Sequence, residues 1–332
     1  MDKVARLQAA QRNELFSEAA TRRGTTPAVV EKDFWVTWTL HRLFADTGLA
    51  RLLMFKGGTS LSKAYGLIER FSEDIDLILD WRVLAGDDDP RAVRSKTRQD
   101  VLNKQINAQA QGYIAESLLP QVNTALDGIC QCAVSANDPH VIDVLYPAAF
   151  PDAYLRPEIR LEIGPLAAWQ PHEERTVGCY AADAFPHVFA QAHCRVRVIR
   201  AERTFWEKAT ILHQEAHRPA GKPQPARYSR HYYDLAKMAS APIKDAALAD
   251  LALLAEVVAF KQQFYPVGWA RYELAQPGTL RLAPTGDVLD AVTRDYDAMA
   301  NMIFGPIPSL DEVLDTLRAL EIEINQNAHD TP

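Results

Sequence analysis

The sequence predicts an α+β protein: a small mixed sheet flanked by helices over residues 1–200, then an all-helical half over residues 201–332. Three observations lead there. Short apolar runs bounded by Gly and Pro recur between residues 52 and 199, as strands require. Beyond Ala201 the strand signal fades and helical periodicity takes over. The glycine pair Gly57-Gly58 follows the first of these runs, and the carboxylates Asp74 and Asp76 stand at the start of the second.

Residues 3–22 lack Gly and Pro and read as a helix. Pro27 opens a second helix to about Ala45, with Thr25 or Thr26 as its cap. Leu52–Phe55 reads as a buried strand, Thr59–Tyr65 as a helix with Ser60 near its start, and Ile75–Leu79 as a strand. On that strand Ile75, Leu77 and Leu79 face the core while Asp74, Asp76 and Asp80 face the other way. A Gly/Asp/Pro loop at 85–90 precedes a helix to roughly Leu119. Val141–Tyr146, Glu158–Ile163 and Arg195–Ile199 alternate as strands. Helices follow at 201–216, 229–239, 245–263, 285–303 and 309–325, with His217–Arg227 as a flexible loop.

Apolar content of 48% and charged content of 24% are those of an ordinary globular chain. With no run of eighteen apolar residues and no signal-peptide core after Met1, the expectation is a cytosolic protein that does not enter the membrane. Cys130, Cys132, Cys179 and Cys194 do not have zinc-site or disulfide-framework spacing and read as incidental thiols. The net charge of −7 does not mark a nucleic-acid binder. Residues 195–237 nevertheless hold ten basic residues against Glu202, Glu207, Glu215 and Asp234, a surplus of six that is compatible with an RNA backbone.

The chemistry concentrates in Phe55-Lys-Gly-Gly-Thr-Ser-Leu-Ser-Lys63 and Arg70-Phe-Ser-Glu-Asp-Ile-Asp-Leu77. Gly57 and Gly58 let a backbone approach phosphate closely, Ser60 can donate to it, and Lys63 lies one turn further on. The same residues also describe a plain strand-to-helix turn. Neither the Walker spacing nor the dinucleotide fingerprint is present. Asp74 and Asp76 share one strand face, where two carboxylates repel unless a cation such as Mg²⁺ (or Mn²⁺) lies between them.

Cradle, short helix and carboxylate strand together resemble the polymerase-β-like nucleotidyltransferases. That resemblance implies a third carboxylate on a neighbouring strand: Glu162 is the candidate, with Asp143 its rival. With Val30-Glu-Lys-Asp-Phe-Trp-Val36, Arg203-Thr-Phe-Trp-Glu-Lys208 and Arg230-His-Tyr-Tyr-Asp-Leu235, the chain is similar to the AbiEii/AbiGii toxin nucleotidyltransferases of type IV toxin–antitoxin systems. The resemblance spans residues 30–240. It implies an NTP substrate whose triphosphate is held by Ser60 and the Gly57-Gly58 backbone. It further implies metal on Asp74, Asp76 and Glu162, charge neutralisation by Lys208, and Asp234 completing the site from the helical domain. Lys63 and Arg70 would orient phosphate or the carboxylates.

The implied reaction moves NMP onto an acceptor hydroxyl at the 3′ end of tRNA, under control of a cognate antitoxin. Two other readings stay open: a small-molecule nucleotidyltransferase of the antibiotic-modifying type, and a non-catalytic NTP-binding protein.

Overall fold

The computed structural model describes residues 1–72, 74–86, 88–150, 156–299 and 302–326. These form two compact units, Met1–Ala64 with Ser72–Ile199, and Tyr65–Phe71 with Arg200–Pro332. Among the described residues no helix is long and apolar enough to cross a membrane.

The first unit is built on seven strands: β1 (Leu53–Lys56), β2 (Ile75–Leu79), β3 (Gln131–Val134), β4 (Val141–Leu145), β5 (Glu158–Gly164), β6 (His172–Gly178) and β7 (His193–Ile199). Their order is β3-β4-β5-β2-β1-β7-β6, so the Asp76 strand is the middle one. β2 runs antiparallel to β1 and parallel to β5, and β1 runs parallel to β7. Ile75, Leu77, Leu79, Ile159, Leu161 and Ile163 are buried on one face. The Pro27–Ala45 helix packs against β7 and β5 and brings Phe34 and Trp35 into the core. The opposite face has its own small cluster, Met54, Ile78 and Ile199, under Ala167 and Trp169.

That helix starts where Pro27 and the Thr26 cap set it, the Thr26 hydroxyl accepting from the Val29 N–H. Its next turn contains three consecutive buried charges, Glu31, Lys32 and Asp33. Buried charges demand partners, and each finds a different one. Glu31 accepts from the Ala149 and Phe150 N–H groups at 2.8 and 3.1 Å. The Lys32 ammonium donates to the Arg156 carbonyl at 3.2 Å. Asp33 takes the Lys63 ammonium on one oxygen and the Tyr180 N–H on the other, at 2.5 and 2.7 Å.

The structure corrects several expectations. The single helix over 3–22 is two, Asp2–Ala5 and Ala9–Arg23, because Gln8 and Gln11 form a capping box that starts the second. The 245–263 helix likewise divides, with Asp250 capping Leu251–Phe264 through the Leu253 N–H. The helix after the 85–90 loop starts at Lys96, where the Ser95 hydroxyl caps it. Strands β3 and β6 were not anticipated.

The second unit is helical, built from Ala201–Ala216, Ser229–Ala239, Ile243–Leu248, Leu251–Phe264, Gly286–Met299 and Leu310–Gln326. Tyr65–Phe71 joins it through an antiparallel bridge between Arg70 and Ile303, with Phe71 N–H donating to Met302 O and Phe304 N–H to Glu69 O, each at 2.7 Å. The expected flexible loop at 217–227 is anchored instead. Gly221 and Arg227 donate backbone N–H groups to Asp287 and Asp295, and Arg218 and Gln224 grip the buried Glu215.

His213 is buried in this unit with both ring nitrogens committed: Nε2 donates to the Arg271 carbonyl and Nδ1 accepts from the Arg281 N–H, at 3.0 and 3.1 Å. A second ring proton would point at that N–H. Burial, only partly offset by the Arg271 carbonyl, therefore lowers its pKa from 6.5 to about 4. The unfolded chain then takes the proton first as pH falls. Stability contributed by neutral His213 is present above pH 6.5 and is lost progressively down to about pH 4, by about 3 kcal/mol in total. Denaturant unfolding at pH 7 and pH 4.5 should show the difference shrinking in His213→Gln.

Candidate active site

Gly57 follows β1 with φ of +80° and starts the short Gly57–Lys63 helix. Its glycine identity has a local cause beyond backbone freedom. A Cβ here would stand 2.5 Å from Asp76 Cγ and overlap the carboxylate itself. The Asp76 carboxylate therefore rests on the Gly57 backbone, a closeness that only glycine permits. Gly57→Ala should cost about 1–3 kcal/mol through strain alone and displace Asp76, so nucleotidyl transfer should fall with it. Denaturant melts and activity assays on one preparation test both halves.

Asp74 lies one residue before β2, and its carbonyl accepts the buried Thr59 hydroxyl. Thr59 thus ties the glycine turn to the carboxylate segment, a role the sequence analysis did not assign. Glu162 stands beside Asp76 in register on the parallel β5, and Lys56 opposite Asp76 on β1. Lys56 was also given no role from sequence, although in-register pairing across β1 and β2 puts both side chains on one face. Glu162 Oε1 is 3.4 Å from Arg160 Nη1, and the rival Asp143 is 3.8 Å from Arg160 Nε.

Ser60 is not at the helix start. It lies a turn inside, fully buried, and its hydroxyl donates to the Gly57 carbonyl at 2.8 Å. Gly58, second residue of that helix, is half-buried. The Lys63 ammonium is buried against Asp33 and faces the Tyr180 ring at 4.7 Å. Burial alone would lower its pKa, but the Asp33 charge outweighs this and raises it.

In the helical unit the remaining expected residues meet. Asp234 is fully buried and accepts Arg70 Nε and Nη2 on its two oxygens, at 2.6 and 2.7 Å. Lys208 Nζ sits 2.7 Å from Oδ2. Burial would raise the Asp234 pKa, yet the two cations hold it well below the usual carboxylate range. Lys208 also lies 3.5 Å from His231 Nδ1, whose imidazole is kept neutral by burial and by the Lys208 and Arg230 charges. One carboxylate against two cations leaves this centre with an excess positive charge, which suits an anion.

Among the described residues no three Asp, Glu, His or Cys side chains converge into a ready-made cation cage. Mg²⁺ does not need one: it is commonly held by one or two carboxylates with substrate phosphates completing its shell. Asp74 and Asp76, beside a turn whose backbone is open enough to carry a carboxylate, fit that donor set.

Of the ten basic residues in 195–237, Arg195, Arg200, Arg203, Lys208, Arg218 and Lys237 each have a carboxylate partner. Arg197 donates to the Ala50, Arg51 and Leu53 carbonyls instead. The linear surplus of charge is therefore largely neutralised locally.

The protein is a nucleotidyltransferase. The family model for the nucleotidyl transferase AbiEii toxin of type IV toxin–antitoxin systems matches residues 38–316, and the chain belongs to that family. The match begins after Val30–Val36 and continues well beyond residue 240, ending inside the Leu310–Gln326 helix. The fold is similar to that of MenT4, a nucleotidyltransferase toxin from Mycobacterium tuberculosis, at 17% identity and a TM-score of 0.48 over 95% of this chain and 88% of that one. No curated protein matches.

Proposed function

We propose that this toxin transfers NMP from an NTP to the 3′-terminal hydroxyl of tRNA in a Mg²⁺- or Mn²⁺-dependent reaction, acts in the cytoplasm, and is neutralised by a cognate antitoxin. The observation that carries the metal-dependent chemistry is the Asp76 carboxylate resting on the Gly57 backbone with Glu162 beside it in register. Bound there, the cation supplies neutralisation of the triphosphate and a lower pKa for the acceptor hydroxyl.

Asp74 and Asp76 would hold it, and Glu162 would hold a second cation or accept the acceptor's proton. The Gly57-Gly58 backbone and Ser60 would cradle the triphosphate. From the helical domain, 201–332, Lys208 would offset charge building on the pyrophosphate leaving group. Asp234 would keep Lys208 in place, and Arg70 would keep Asp234 in place. Lys63, paired to Asp33, would support the cradle from behind.

The tRNA assignment rests on family resemblance and on the exposed Lys222 and Arg227 of the anchored loop. Purified protein incubated with Mg²⁺, each labelled NTP in turn and total RNA tests it. Label in tRNA supports the reading. Label only in protein or small molecules overturns the acceptor, and bound but unconsumed NTP overturns catalysis.

A further inference from the structure

Arg160 occupies a position between two carboxylates on the sheet face that carries Asp76. Strand alternation puts Arg160 and Glu162 on one side of β5, and register places Asp143 of β4 directly beside Arg160. The guanidinium is shared loosely, 3.4 Å from Glu162 and 3.8 Å from Asp143. Asp143 Oδ1 is meanwhile a buried acceptor with no hydrogen bond. A buried acceptor left unmade is costly, and closing 3.8 Å to hydrogen-bond distance would relieve it. What opposes that movement is the attraction of Glu162.

We propose that Arg160 is a positioning residue that moves between Glu162 and Asp143, holding Glu162 in the resting protein and releasing it toward a divalent cation. The inference rests on the proposed metal dependence. A cation arriving beside Asp76 attracts Glu162, whose place in register is next to that carboxylate. Arg160, repelled by the same cation, completes the Asp143 acceptor. The resting protein then has its third carboxylate held by Arg160. Asp143 therefore has a role other than rival ligand: it receives the guanidinium when Glu162 leaves.

Mn²⁺ binding without nucleotide, followed by electron paramagnetic resonance, tests this without reference to activity. Arg160→Met should tighten Mn²⁺ binding several-fold, and Asp143→Asn should weaken it several-fold. Simple charge effects would give the same signs, so the decisive comparison is in a Glu162→Gln background. There both effects should shrink to less than twofold, because the residue being released is gone. Persistence of the Arg160→Met effect in Arg160→Met/Glu162→Gln would overturn the proposal and leave the metal reading standing. Mn²⁺ binding that is unchanged in Asp76→Asn would overturn the metal reading itself, and this inference with it. Circular dichroism of each variant establishes that the fold is retained.

Discussion

Asp76→Ala is expected to abolish nucleotidyl transfer while leaving the protein folded. Removing a carboxylate that anchors the cation should lower the rate about 10³-fold or more, by analogy with the loss of other preorganised transition-state contacts. The side chain is only half-buried and contributes little to the core, so melting should change by no more than a degree or two. Growth arrest on expression should vanish with the activity if catalysis is the toxic event. A folded Asp76→Ala protein that transfers NMP at the normal rate would refute the assignment. The comparison with Gly57→Ala is informative, since that change moves the same carboxylate without deleting it.

Asp234→Ala should act differently, through stability first. It would leave Arg70 and Lys208 buried without their shared counter-charge, and breaking such an arrangement costs about 3–5 kcal/mol. The folded pKa of Asp234 is depressed, so the stability that it contributes is fully present above the ordinary carboxylate pKa. It is lost as pH falls below about 4 toward the depressed value. Asp234→Asn should reproduce most of the loss at neutral pH and remove that acid-side dependence. A neutral effect on urea unfolding would mean that the two cations find other partners. Lys208→Met, which keeps the Arg70–Asp234 pair, should be milder in stability and should lower activity.

The α+β class and the central strands were legible because buried strands must alternate or run apolar, as Ile75–Leu79 and Glu158–Gly164 do. The two strands that escaped detection are the two edges of the sheet. In β6 only Val177 is buried, so His172-Glu-Glu-Arg-Thr has no hydrophobic pattern to find. In β3 no residue is buried at all. At the site, sequence gave the residue types but not their neighbours. The family resemblance implied that Lys63 and Arg70 orient phosphate or the carboxylates, and the carboxylates they hold, Asp33 and Asp234, lie 30 and 164 positions away in the chain, beyond the reach of any local pattern. The sequence places Ser60 near the start of a helix over Thr59–Tyr65 because a hydroxyl just after glycines is common there. The turn starts three residues earlier because Gly57, at positive φ, can itself begin the helix.

The run Glu31-Lys32-Asp33 makes the chain unusually intolerant of a change in length at one remote place. A helix turns about 100° per residue, so deleting one amino acid after Pro27 would swing all three side chains off their targets together. Point substitutions there would each release one tether, whereas a frameshift of the spiral would free the connections at 149–150, 156 and 180, and Lys63 as well, in a single stroke.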